Sequence, residues 1–251
     1  MEKKVISYCL YGNDPRYWQC LVANLTLAQE IYPGWEVWIH HCNVEDHIIA
    51  QLSSGGEHVT LIPVPYIEHK QRNMFHRFLP IYDGSVSRTI VRDADDLLNY
   101  TDRHCVDLWE ESGKTFYTLH ASGGHKRPVV GGLWGITRDW PKEKLPAETL
   151  YSLDDVKWAA DERWLSERLL PLVKDNWLKL NLKHATQHFP GGTQISRQPT
   201  PEDSYLCSPG VIGLASYRAY LIGNDVDGKR YRGREGDVPQ RKNTSSSNGT
   251  S

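Results

Sequence analysis

Asp93, Asp95 and Asp96 fall within four positions, directly after the strand-like run Arg88-Thr89-Ile90-Val91. Carboxylates this close repel one another, so the position asks for a positive partner. Asp93 and Asp95 are two apart, and at a strand end that spacing points both side chains the same way. Two carboxylates on one side make a hard oxygen site suited to Mg2+ or Mn2+. Such an ion keeps open positions for phosphate oxygens and can neutralise a departing diphosphate. The same residues could instead cap the helix starting near Asn99, with one of them paired to Arg92.

Alternating strand-like and helix-like patterns must position these groups. The strand-like runs cover 3–12, 35–42, 58–65, 87–93 and 115–120. The helix-like runs cover 16–33, 44–56, 71–83, 100–113 and 153–176, with Asn99 or Thr101 capping the fourth and Pro171 stopping or kinking the last. Residues 128–140 are apolar and Gly-rich, closer to a loop and short strand than to a helix. The repeated βα order argues for an α/β domain with a mostly parallel, doubly wound sheet flanked by helices. Ligands in such sheets bind at the carboxyl ends of strands, and the Asp cluster lies at one. Residues 1–223 read as a single domain, and the polar segment 224–251 as a disordered tail.

Bulk properties narrow the class. A chain of 251 residues with 39% hydrophobic and 24% charged content can bury a substantial core. A formal net charge of −2 gives no general attraction to nucleic acid or anionic lipid. No apolar run reaches membrane-spanning length, so no membrane partner is expected. The opening "MEKKVISYCLYG" enters a strand directly, without an apolar leader. Cys9, Cys20, Cys42, Cys105 and Cys207 are scattered, odd in number and without CxxC spacing, which argues against a zinc knuckle and a disulfide framework. Cys9 and Cys42 sit in apolar runs, where buried free thiols are normal. A reduced, cytoplasmic protein is the expectation. The nine Trp and thirteen Tyr are either core or the lining of a carbohydrate or nucleotide pocket.

An ordered series of segments surrounds the Asp cluster: "MFHRFLPIYD" before it, "RDADDLLNYTDRHCVDLWEESGKTFYTLH" containing it and "VVGGLWG" after it. This series resembles a viral and bacterial family of GT-A-type nucleotide-sugar glycosyltransferases. The opening "SYCLYGNDPRYWQCLVANLTLAQEIYPGW" is similar to that family's first strand, loop and helix. "AADERWLSERLLPLV" is similar to its Asp-Gln-x-x-Leu helix, and "KHATQHFPGG" to its His-containing segment. The resemblance spans roughly residues 4 to 215. The chain departs from the pattern at Asp96, where Ser is usual, and at Glu162, where Gln is usual. "HASGGHKRP" replaces Arg-Asp-His-Pro, and Ala rather than Asp follows His184.

The resemblance implies a GT-A-like fold and a metal-dependent glycosyltransferase that takes a nucleotide-sugar donor, a UDP-sugar foremost. Asp95 would contact Mn2+ or Mg2+, and Asp93 the ribose or the same ion. Arg77 matches the family Arg near the donor diphosphate, where a guanidinium can bind two phosphate oxygens; a surface helix Arg is the plainer alternative. Tyr11, Gly12 and Asn13 follow the first strand, where GT-A enzymes bind the nucleoside. Gly131, Gly132 and Trp134 could form the acceptor-side wall, or simply a tight turn. Asp161 or Glu162 would be the general base of an inverting mechanism. Asp161 falls on the inward stripe with Trp158, Leu165 and Leu169, and is the preferred base. His184 or His188 could complete the metal site, with His184 preferred. The acceptor could be a glycan, a small molecule or a hydroxymethylated base in DNA, with basic runs at 125–128 and 229–242 available to phosphates. A nucleotidyltransferase, a phosphohydrolase or a non-catalytic nucleotide-sugar-binding module are the competing classes.

Overall fold

The run KKVISYCLY forms β1 (Lys3–Tyr11), buried continuously from Val5 to Leu10. Continuous burial is what a strand covered on both faces requires. The computed structural model describes residues 2–120, 127–153, 159–182 and 192–195. After β1 the chain turns through Gly12, whose φ of +77° suits a residue without Cβ. Asp14 then caps α1 (Pro15–Ile31), its carboxylate accepting from the Arg16 N–H at 2.9 Å. Pro15 opens the helix, where a missing N–H costs nothing.

The chain continues through β2 (Glu36–Cys42), α2 (Asp46–Ser53), β3 (Val59–Pro63) and a 3-10 segment, Lys70–Tyr82. Next come β4 (Val86–Val91), α3 (Tyr100–Ser112), β5 (Phe116–His120) and β6 (Trp134–Thr137). A helical stretch follows, made of α4 (Ala160–Trp164), a π-helical turn (Leu165–Leu169) and α5 (Leu170–Val173). β7 (Trp177–Leu182) and β8 (Thr193–Ile195) complete the described elements.

The eight strands form one sheet in the order β3-β2-β1-β4-β6-β5-β7-β8. Every neighbouring pair is parallel except those of β6, which runs antiparallel to both β4 and β5. The chain moves outward from β1 to β3 and then returns to β4 on the other side of β1. That reversal opens a crevice beyond the carboxyl ends of β1 and β4, where α/β sheets bind ligands. One core lies beneath α1, α2 and α3, around Leu21, Leu25, Val37 and Val106. The other gathers Phe75, Phe78, Trp134, Trp164, Leu165 and Leu169. Much of the aromatic surplus is therefore core. Cys9, Cys42 and Cys105 are buried free thiols. Among the described residues no helix is long and apolar enough to cross a membrane.

Two helical expectations change. Residues 71–83 wind as a 3-10 segment with Pro80 inside it, not as an α-helix. In the 153–176 run, residues 154–158 lie outside the described residues. After α4 the helix widens from Leu165: the Leu170 N–H reaches Leu165 O, five residues back, just ahead of Pro171. Proline offers no N–H to an α-helical ladder, and the wider turn accommodates it. The tail at 224–251 also lies outside the described residues.

Arg92 knits the centre together. It donates to Asp102 through Nε at 2.9 Å and Nη2 at 2.7 Å, and to the Tyr117 hydroxyl at 2.6 Å. Tyr32 donates its hydroxyl to Asp102 at 2.7 Å, and the Val91 and Trp134 carbonyls accept from Arg92 Nη1. The network joins α1's end, β4, β5, β6 and α3. Arg92 thus pairs with the first turn of α3, which Asn99 caps by accepting the Asp102 N–H, and not with the Asp triplet. Removing one partner of a buried pair strands the other charge. Asp102→Asn should therefore destabilise the protein by about 3–5 kcal/mol, read as a lower urea midpoint at unchanged slope.

His40 on β2 is buried, and its Nδ1 has no hydrogen-bond partner among the described residues. Burial pushes the imidazole down to about 4, against a backbone contact from Tyr8, with His76 and His41 adding to the depression. The unfolded chain therefore binds a proton on this residue that the folded one refuses. His40 lets stability persist above its ordinary value and removes it as pH falls from there towards 4. At full protonation the penalty is about 3 kcal/mol. The acid-side fall in melting temperature should be shallower in His40→Gln than in the parent across pH 6.5 to 4, measured by calorimetry.

Candidate active site

β4 delivers the Asp cluster to the crevice. The Arg92 N–H donates to Ser7 O at 3.1 Å, continuing the β1–β4 pairing one residue past the strand. Arg92 then points into the core network and Asp93 to the opposite side. The Asp96 N–H turns back onto Asp93 O at 3.3 Å. Asn24, fully buried in α1, holds this loop by donating to Asp96 O at 2.8 Å and accepting the Leu98 N–H at 2.9 Å. The sequence signal for Asn24 was an amide on an otherwise apolar helix face.

Arg77 arrives from the 3-10 segment. Its carbonyl accepts from the Ser7 hydroxyl at 2.7 Å, which anchors it to β1. Its side chain is only 6% exposed, and it lies between two carboxylates. Nη1 donates to Asp93 Oδ1, and Nη2 donates to Asp161 Oδ2 at 2.6 Å. The buried Nε has no partner among the described residues. Gly131 and Gly132 make this convergence possible. A Cβ at Gly131 would stand 2.5 Å from Asp161 Oδ2 and 2.9 Å from Arg77 Nη2. A Cβ at Gly132 would collide with the Asp93 carboxylate and stand 2.7 Å from its backbone nitrogen. Glu162, beside Asp161 on α4, accepts the Gly131 N–H at 3.4 Å.

The charges are unevenly compensated. Asp95 is held by Arg16, Nη2 to Oδ2 at 2.6 Å, across the crevice from α1's first turn. Burial and the Asp93 charge still push its carboxyl up, with Arg16 opposing. Asp96 is pushed well above the usual carboxylate range by burial, with Asp93 and Asp95 adding to it. Burial also raises Asp161, against the pull of Arg77. Burial alone would lower Arg77, but Asp93 and Asp161 outweigh it and hold the guanidinium protonated.

The other expected residues divide. Tyr11 ends β1 half-buried, its phenol pushed up by burial. Asn13 has both ends of its amide on Glu45, donating to Oε1 and accepting the backbone N–H, each at 2.9 Å. It thereby clips the loop after β1 to the loop after β2. Beside it a cleft of about 350 Å³ opens at the ends of β1, β2 and β3, lined by His41, Asn43, Glu45 and Val64 among others. Asn43 takes a φ of +53° there, uncommon for a residue with a side chain. Trp134 corrects an expectation. It is fully buried against Phe78 and Phe116, with its indole N–H donating to Gly131 O at 3.1 Å, so it presents no face to an acceptor. His184 and His188 lie outside the described residues, as do Trp158, half of the 125–128 run and all of the 229–242 run.

Among the described residues, no three His, Cys, Asp or Glu side chains converge as a metal cluster. The chemistry of the donor set nevertheless fits a hard divalent cation: Asp93 and Asp95 supply carboxylate oxygens, and Asp93 already raises the cost of charge on Asp95.

Set against solved structures, the chain matches galactosyltransferase LgtC in complex with donor and acceptor sugar analogues at a TM-score of 0.50 and 13% identity, over 75% of this chain and 78% of that one. The fold is GT-A-like. A glycosyltransferase involved in glycosylation of the major capsid of PBCV-1 matches at a TM-score of 0.46 and 12% identity, over 76% of this chain and 90% of that one. Mannosyl-3-phosphoglycerate synthase from Rubrobacter xylanophilus matches at 0.48 and 13%, over 72% and 65%. No protein-family model and no curated protein matches the sequence.

The glycine pair generates a sharp expectation. Gly132→Ala should destabilise the fold by about 1–3 kcal/mol, the usual cost of overpacking. Gly84→Ala, with nothing within 4 Å of its Cβ, should leave the melting temperature unchanged.

Proposed function

We propose that this chain transfers a sugar from a nucleotide diphosphate to an acceptor hydroxyl. One observation supports the reading above the rest. The carboxylates after β4 meet the first turn after β1 across the strand-order reversal, through the Arg16–Asp95 contact at 2.6 Å. That crevice is where a GT-A-like sheet would bind a nucleotide. In this reading the nucleoside of a UDP-sugar lies along the cleft beside Tyr11, Gly12 and Asn13, with its diphosphate towards Asp93 and Asp95. Asp93 and Asp95 would hold Mn2+ or Mg2+, with His184 as a further ligand. An ion held by these carboxylates would supply charge neutralisation for the departing diphosphate. Arg77 adds fixed positive charge. A cytoplasmic setting and a glycan or small-molecule acceptor complete the proposal; the net charge of −2 favours these over DNA. Nucleotidyl transfer would call for a Gly-rich phosphate loop followed by Lys, and residues 11–16 read Tyr-Gly-Asn-Asp-Pro-Arg.

Asp161 admits two roles. The raised carboxyl favours the general base. The 2.6 Å pair with Arg77, with Asp161 only 6% exposed, favours a positioning role that orients the guanidinium. A screen of nucleotide sugars with Mn2+, read by release of free nucleotide, tests the activity itself. Asp95→Asn or excess EDTA should abolish release while the circular dichroism spectrum is kept; full activity in either would sink the metal-assisted form. Asp161→Asn should lower kcat by about 10²–10⁴ with donor binding nearly unchanged. Loss of the acidic limb of the pH–rate profile would mark a base, and a retained limb a positioning residue.

A further inference from the structure

Two guanidiniums meet the carboxylate cluster, and they are held very differently. Arg77 is 6% exposed and sits between Asp93 and Asp161. Parting a buried pair leaves a charge stranded in a low dielectric, so Arg77 is fixed. Arg16 is 39% exposed, and its partner Asp95 20% exposed. A pair that solvent reaches in part is screened more than a buried one and is easier to part. The Arg16 guanidinium also stands over the Tyr17 ring, 5.6 Å from its centroid, a partly exposed surface.

The backbone of Arg16 is fixed while its side chain is long. Its N–H donates to the Asp14 cap at 2.9 Å, in a helix start set by Pro15. Only the side chain needs to move for the pair to part. Asp95 stands two residues from Asp93 at the same strand end, so its charge calls for a positive neighbour whether or not a donor is bound. A guanidinium released at this crevice has the planar fork that matches two phosphate oxygens.

We propose that Arg16 is an exchangeable counter-ion: it holds Asp95 while the donor is absent, yields that carboxylate to the divalent cation, and then binds the donor diphosphate. The proposal rests on the sugar-transfer reading and extends it to a residue outside the acidic cluster. Arg16 is on this account a binding residue, set apart from Arg77 by its greater exposure.

The test uses the full chain with Mn2+ alone, counting free Mn2+ by electron paramagnetic resonance at low ionic strength. Arg16→Gln should bind Mn2+ about fivefold more tightly than the parent, because the competing cation is gone. Arg16→Lys, which keeps the charge, should stay within about twofold of the parent, and Asp95→Asn should lose the site. With Mn2+ saturating, UDP should bind Arg16→Gln about tenfold more weakly, through loss of a charge-assisted contact. Thermal melts establish that each variant is folded. If Asp95→Asn loses Mn2+ while Arg16→Gln binds it no better than the parent, the exchange is wrong and the sugar-transfer reading stands. Unchanged UDP affinity in Arg16→Gln would remove the diphosphate half of the proposal. If neither parent nor Arg16→Gln takes up Mn2+, the exchange and the metal-assisted form of the reading fall together.

Discussion

The buried Arg77 side chain is the constraint on which the site is built. It ties together the 3-10 segment, the loop after β4 and helix α4, which are far apart in sequence. Its own carbonyl is moored to Ser7 in the central strand. Without that cation, Asp93 and Asp161 would face each other across a small, poorly hydrated space, where like charges repel most strongly. The glycines at 131 and 132 are the steric side of the same constraint. Either Cβ would occupy space the three charged groups already fill.

Neighbouring residues serve opposite ends of this design. Arg92 turns inward and is consumed by structure: Asp102, two carbonyls and the Tyr117 hydroxyl take up its donors. Asp93 turns outward and is held by a different guanidinium. One residue step at a strand end thus separates the group that stabilises the sheet from the group that faces the crevice. Asp96 adds a further consequence. Burial, with the Asp93 and Asp95 charges adding to it, raises its carboxyl well above the usual carboxylate range. A cation arriving at the crevice would oppose that rise by favouring the ionised form.

The strands were legible because the first four apolar runs are closed by Gly, Asn, Pro or Asp, and the observed bounds of β1 to β5 differ from those readings by no more than two residues. The inward face of Asp161 was legible from Leu165 and Leu169, both fully buried. Other features were hidden for physical reasons. Trp134 next to paired glycines suggested an exposed platform, yet β6 is an interior strand, buried from Trp134 through Ile136, with no outward position to offer. The Arg92 partner was hidden because nearer carboxylates competed for it in sequence, while the helix start brings Asp102 closer in space. β7 carries the apolar–polar alternation of a strand in Leu178-Lys179-Leu180-Asn181-Leu182, directly after the long helical run, and its polar Asn181 is buried. That Arg77 would answer two carboxylates at once, rather than await a phosphate, is a matter of three-dimensional convergence that no local pattern records.

The reversed direction of β6 has a consequence for how such a protein could diversify. Because β6 runs against β4, with Val91 opposite Trp134, its beginning lies at the same rim as the ends of the parallel strands. A connection that would otherwise sit on the far side of the sheet is delivered to the crevice. A connection that enters β6 at this rim can therefore change in length or composition without shifting any strand register. The composition of this rim and the integrity of the sheet can thereby vary in separate stretches of chain. They meet at Gly131 and Gly132, where an added Cβ has no room beside the charged groups.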